Sequence, residues 1–218
     1  MRVKRAVKQR TKKASLRERE KKEQRQDQIL SAAFEEFSVN GYAGARLDDV
    51  ARRGGMAKGT IYLYYKNKEQ LFRAVVRSVI RPVFENLDSF VGDFSGSAED
   101  LLRAILCRQY GRVVKNERAR AVLRMLIAES GKFPELSDVF HREIIGPGVA
   151  ALRTLLQKGV ASGELRKSKI MDFPQILISP GVMAVLWILI LGKEHRLDLD
   201  AYMDAHLEFV LYGLKKHV

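Results

Sequence analysis

The chain has 218 residues, 46% hydrophobic and 30% charged, which fits one or two soluble globular domains and excludes a disordered or low-complexity chain. Its formal net charge of +13 is uneven: residues 1–68 hold 18 Lys/Arg against 8 Asp/Glu, and the remainder 21 against 18. A basic end on a near-neutral body points to a polyanion-binding module attached to a separate core.

Residues 1–24 form a basic arm with almost no large apolar residue, eleven Lys/Arg lying between Arg2 and Lys22. It lacks the periodicity to fold on a core, so its first 14 residues are expected to be disordered. Two readings stand: an arm that follows the DNA backbone or enters the minor groove, and a solubilising tail or misassigned start. The arm is basic but no apolar run follows it, so it does not read as a signal peptide. A helix is expected from near Arg17 or Gln24 to Val39, with Ile29, Ala33 and Phe37 in one line and Leu30 and Phe34 beside it. Asn40-Gly41 is its stop.

The stretch LDDVARRGGMAKGTIYLYY, Leu47 to Tyr65, carries the chemistry. Leu47, Val50 and Ala51 share one face of a short helix. Gly54-Gly55 breaks it, because glycine reaches the left-handed conformation without steric cost. A second short helix follows from about Lys58, with Ile61 and Tyr65 inward and Met56 packing from the turn. Lys58, Gly59, Thr60, Tyr62, Leu63 and Tyr64 remain for the outer surface. Two short helices on a glycine turn describe a helix-turn-helix, whose second helix enters the major groove. The outer residues suit that task. Lys58 neutralises phosphate, Gly59 lets backbone N–H groups approach one, Thr60 meets a base edge or thymine methyl, and the tyrosines reach phosphate oxygens. The alternative is a helical hairpin at a domain surface with half-buried tyrosines.

The runs Asp49–Val50–Ala51, Lys58–Gly59–Thr60–Ile61–Tyr62 and Tyr64–Tyr65–Lys66–Asn67–Lys68–Glu69, with Leu71, resemble the signature of the TetR family of bacterial transcriptional regulators, over roughly residues 25 to 75. The resemblance implies an all-α homodimer: a three-helix DNA-binding domain at 25–70, then a larger domain at 71–218 that binds a small molecule and dimerises. There are departures. Ala57 sits where the family usually has a capping serine that touches phosphate, and Arg46 where it often has a threonine. Losing a capping side chain costs about 1 kcal/mol, partly offset by Asp48 and Asp49 at the helix start. Arg46 can still hold a phosphate by charge, and Lys68 adds a second phosphate-neutralising lysine.

Asn67 caps the next helix with Gln70 three positions on, and apolar residues recur from Leu71 to Phe90. Pro82 is expected to kink it. This helix joins the two domains as a lever. After a loop at Gly92–Ser97, helices are expected at about 98–115, 117–130, 134–162 (bent at Gly146-Pro147-Gly148), 173–191 and 199–214, with no strand and no repeat. The longest apolar stretch, Ile176 to Leu191, is broken by Ser179-Pro180-Gly181. It would span roughly 24 Å as a helix, short of the ~30 Å hydrocarbon core, so it reads as a buried helix and no membrane partner is expected.

Phe84, Cys107, Tyr110, Met125, Phe140 and Met183 are candidates to line an apolar pocket, with plain core packing as the alternative for each. The last two helices, with Val182, Val185, Leu186, Phe209 and Val210, suit a four-helix dimer interface or an ordinary core. The lone Cys107 excludes an intramolecular disulfide and fits a reducing cytoplasm. The four histidines show no metal-ligand spacing, GGMAKGT lacks the phosphate-loop spacing, and no catalytic constellation stands out, so neither cofactor nor enzyme activity is expected. The reading is a ligand-responsive regulator, a repressor that binds a palindromic operator on double-stranded DNA as a dimer and is released by a small apolar molecule. The rivals are a non-specific architectural nucleic-acid binder and a ligand-binding enzyme on a helical fold.

Overall fold

The computed structural model describes the backbone of residues 2–84, 87–192 and 194–215, and side chains from Arg17 onward except at Arg81, Val83, Phe84 and Asp88. Helices account for the fold, and the described residues contain a single isolated β-bridge, Leu165 to Lys215. The chain divides into two compact units, Met1–Val75 and Val76–Val218.

The first unit contains α1 (Arg2–Gly44), α2 (Leu47–Arg53), α3 (Lys58–Tyr62) and the start of α4 (Lys68–Phe84). The backbone of α1 is helical from Arg2, where a disordered arm is expected from the sequence. The reason lies in local propensity: the arm is built from Lys, Arg, Glu, Gln and Ala, all good helix formers. Residues 17–25 are nonetheless exposed, so this stretch adds nothing to the core. Ile29, Ala33 and Phe37 are buried along one line, and the helix breaks at Gly41, whose φ of +67° suits glycine. Phe37, Tyr42 and Phe72 pack edge to face or stacked around this break, with ring centroids 5.1–6.1 Å apart.

The turn between α2 and α3 needs both glycines, for different reasons. Gly55 has φ +61°, and a Cβ on Gly54 would come within 3.2 Å of Ala32 Cβ on α1. Glu36 is 1% exposed; its carboxylate accepts from Asn40 Nδ2 at 2.6 Å and from Arg53 Nη2 at 3.0 Å. This pair, buried on the Glu36 side and exposed on the Arg53 side, ties α1 to the last turn of α2.

The second unit continues α4 and adds α5 (Leu87–Asp93), α6 (Ala98–Gln109), α7 (Glu117–Glu129), α8 (Pro134–Phe140), α9 (Gly146–Ala161), α10 (Ser179–Leu191) and α11 (Leu199–Leu214). The helix expected to run on to Phe90 is thus described as α4 and α5. Pro82 lies inside α4, and its carbonyl accepts from the guanidinium groups of Arg108 and Arg112. Two helices widen into π turns, α6 at Tyr110–Val114 and α8 at His141–Ile145, the second just before Gly146-Pro147-Gly148. Such turns absorb a local misfit in the helical ladder, here beside a proline without an N–H. Ser97 and Asp100 form a capping box on α6, a signal present in the sequence and missed there. The main core joins α5, α6, α9 and α11 through residues such as Leu102, Leu106, Leu152, Leu155 and Leu214.

Candidate nucleic-acid interface and effector cavity

The helix-turn-helix presents the residues expected of it. Ile61 and Tyr65 are buried, while Lys58, Gly59, Tyr62 and Leu63 are exposed and Thr60 and Tyr64 half-buried. Leu63, at 83% exposure, is the most exposed large apolar side chain among the described residues of the unit. Tyr65 is fixed from α1 by Gln26 Nε2, 3.2 Å from its hydroxyl, and burial raises its pKa. Neither Arg46 nor Ala57 makes a side-chain cap at the helix start it precedes. Arg46 is exposed, with its charge available on the surface.

The two lysines differ. Lys58 Nζ lies 2.8 Å from Asp48 Oδ1, linking the start of α3 to the start of α2, and both side chains are exposed. The hydrogen bond to the Asp48 carboxylate, with its charge, raises the Lys58 ammonium above its ordinary value. Lys68 Nζ instead donates to the carbonyls of Tyr42 at 2.7 Å, Ala43 at 3.1 Å and Ala45 at 3.4 Å, and sits 4.7 Å from the Tyr42 ring centroid. An ammonium has three protons, enough to serve these three carbonyls at and just past the end of α1. In this structure the Lys68 ammonium is engaged at the end of α1. Asn67 caps α4 as expected, Gln70 N donating to its Oδ1 at 2.8 Å, but Gln70 reaches back to Lys66 N and not to Asn67 N.

The second unit holds a partly open apolar cavity of about 120 Å³. Its walls come from α6 and its π turn (Ile105, Gln109, Val113), α7 (Leu123, Ile127), the π turn after α8 (Ile144, Ile145) and α10 (Val182, Val185, Leu186). Of the five pocket candidates with described side chains, Phe140 alone lines it. Tyr110 and Met125 are buried elsewhere, Cys107 and Met183 are exposed, and the Phe84 side chain lies outside the described residues. Four of the five dimer candidates meet the interior of the domain: Val182, Val185 and Leu186 line the cavity and Val210 is in the main core. The reason is that α10 is apolar all round, so its composition does not distinguish its two faces. Phe209, 71% exposed, is at the surface with Met183, Ile190 and Tyr212, and Val182 is half-exposed at the cavity's edge.

Tyr110 belongs to a different arrangement. Its hydroxyl lies 3.1 Å from His206 Nδ1, and His206 Nε2 lies 2.9 Å from the Leu177 carbonyl. A carbonyl only accepts, so Nε2 carries the proton and Tyr110 donates to Nδ1. Burial lowers the pKa of His206 and raises that of Tyr110 to about 12. Among the described residues no three His, Cys, Asp or Glu side chains gather as a metal-binding set.

Comparison with known proteins agrees with this layout. Residues 29–75 match the bacterial regulatory proteins of the tetR family, and residues 94–208 match the tetracyclin repressor-like C-terminal domain. The fatty acid metabolism regulator protein of Bacillus subtilis is 23% identical over 189 residues, covering 86% of this chain and 94% of its own. The HTH-type transcriptional regulator RutR of Escherichia coli K12 is 27% identical over 189 residues, covering 87% and 71%. A putative TetR-family regulator from Mesorhizobium loti superimposes with a TM-score of 0.73 at 21% identity, over 88% of this chain and 98% of that one. The regulator FadR from Bacillus subtilis, solved in complex with stearoyl-CoA, gives 0.71 at 23% identity, over 85% and 97%. The chain is a member of the TetR family of bacterial transcriptional regulators.

Proposed function

We propose that the protein is a cytoplasmic repressor that binds a palindromic operator as a homodimer, and that a small apolar molecule in the C-terminal cavity releases it. The apolar cavity is the observation that carries this reading, because a regulator that answers to a small molecule needs a preformed, mostly apolar site to receive it. Each protomer lays α3 in the major groove, with Thr60 and Leu63 toward base edges and Arg46, Lys58 and Tyr62 toward phosphates.

The dimer reading is supported by an apolar face left open on the last two helices: Met183 and Ile190 on α10, Phe209 and Tyr212 on α11. Pairing these faces gives a four-helix interface, and an isologous contact needs one self-complementary patch. Pro174–Leu191 also has the length and apolarity of a membrane span, with a mean hydropathy of 2.0. Against lipid, Gly181, Ala184 and Val185 pack inside the domain, and Trp187 Nε1 donates to the His195 carbonyl at 2.7 Å. One face of α10 is therefore already used, and a second copy suits the other.

The test is release. A fluorescent duplex carrying the preferred sequence is bound by the protein and challenged with a panel of neutral apolar compounds and acyl-CoAs. At least one is expected to weaken binding tenfold or more. A complex indifferent to every ligand shown to occupy the protein would overturn the reading and leave a regulator without an effector, or a DNA-architectural protein.

A further inference from the structure

One residue of the cavity wall carries a buried polar atom that has no hydrogen-bond partner among the described residues. It is Gln109, the last residue of α6. Gln109 Nε2 donates to the Ile178 carbonyl at 3.1 Å, while Oε1 is buried and meets no hydrogen-bond donor among the described residues. The orientation of the amide is fixed by chemistry. The Ile178 carbonyl only accepts, so the nitrogen must face it and the oxygen is the atom left over. Gly181 closes the other side: a Cβ there would come within 2.8 Å of the Gln109 amide oxygen. Buried acceptors are paired in folded proteins, so an unpaired one on a cavity-lining residue calls for a donor, which an occupant that shifts the Gln109 side chain can supply.

Size and charge narrow the occupant further. An apolar cavity of about 150 Å³ accommodates benzene, and this one measures about 120 Å³ between walls such as Ile105, Val113, Phe140 and Val185. A ring or a chain of about six carbons matches that volume. Arg108 also lines the cavity, and its Nη2 donates to the Pro82 carbonyl at 3.3 Å. An anionic oxygen at Gln109 would set like partial charges together. We propose that this cavity takes a neutral, ring-sized apolar molecule with one hydrogen-bond donor, a phenol or a short alcohol, its O–H donating to Gln109 Oε1. The proposal rests on the cavity being the effector site. It also gives the occupant a route to the rest of the domain. A donor on Oε1 polarises the amide and strengthens its bond to Ile178, which immediately precedes α10.

Calorimetric titration of the full-length protein with 4-ethylphenol, ethylbenzene and 4-ethylbenzoate tests it. The phenol is expected to bind at least tenfold more tightly than ethylbenzene, and the benzoate more weakly than the phenol. In Gln109→Met, phenol and ethylbenzene are expected to bind alike, at the wild-type ethylbenzene level. No preference in the wild type, a preference that survives in Gln109→Met, a benzoate that binds best, or no binding at all would each overturn the proposal. If Gln109→Met does not fold, the wild-type comparison decides alone. DNA binding measured on the same samples separates the two claims. Selective phenol binding that leaves the DNA complex intact removes the effector reading and keeps this site. DNA release by another compound class with no phenol binding removes this site and keeps the effector reading.

Discussion

Lys58 and Lys68 carry the same charge on the same unit and meet different partners. Lys58 meets only the exposed carboxylate of Asp48, and a phosphate can take that place. Lys58→Ala is expected to weaken binding to all sequences and to flatten the slope of log affinity against log salt by about 1. Asp48→Asn, which frees the lysine and removes a negative charge, is expected to tighten binding at low salt. Titrations at several salt concentrations check both, and identical slopes for wild type and Lys58→Ala would contradict the assignment. Lys68→Ala leaves three carbonyls at the end of α1 without their donor, and is expected to lower stability by about 1–2 kcal/mol. Urea unfolding reads it, and an unchanged midpoint would show the capping contacts idle. His206 gives a pH signature. Burial lowers its pKa below the ordinary 6.5 in the folded chain, so below about pH 6.5 the unfolded chain binds a proton that the folded chain does not. Its contribution is fully present above that pH and is lost as pH falls toward the folded value. His206→Gln is expected to unfold with less change between pH 7.5 and 5.5 than the wild type; equal pH dependence would contradict this.

At the scale of elements, the sequence was readable where the cause is local. Gly41, Gly55 and the Asn67 cap follow from backbone conformation and short-range hydrogen bonds, and the inward line Ile29, Ala33 and Phe37 from helical spacing. It was not readable where distant segments meet. The carbonyls held by Lys68 lie 23 to 26 residues back in the chain, so no local pattern announces them. Helix α10 carries no period that separates Val185, on the cavity, from Ile190, at the surface. The basic start of α1 also has a testable role. Every buried side chain described in the first unit lies at Ile29 or beyond, so deleting residues 2–14 is expected to leave folding and dimerisation intact. It removes Arg2, Lys4, Arg5, Lys8, Arg10, Lys12 and Lys13. Affinity at low salt should fall and the salt dependence become shallower, with the preference for operator over other DNA retained. Superimposable titrations of truncated and full-length protein would show that the segment is only a tail.

For the whole molecule, charge and shape divide along the chain. Residues 1–68 carry a net charge of +10 and present α3, while the second unit is close to neutral and holds the cavity. The all-α plan and the two-part organisation were legible from periodicity and charge. The cavity was not, because it exists only where α6, α7, α9 and α10 bring apolar faces together, and inward-facing residues look alike in sequence whether they fill a core or line a space. A charged patch alone binds any DNA; a positioned α3, doubled by symmetry, discriminates. The decisive measurement is therefore selection of the bound sequence from a random DNA pool, followed by affinity for the selected and a scrambled duplex at one salt concentration. A palindromic sequence, two protomers per duplex, and a preference of about 10³-fold or more are expected. A pool that enriches no sequence, with equal affinity for both duplexes, would contradict the account and leave a non-specific polyanion binder.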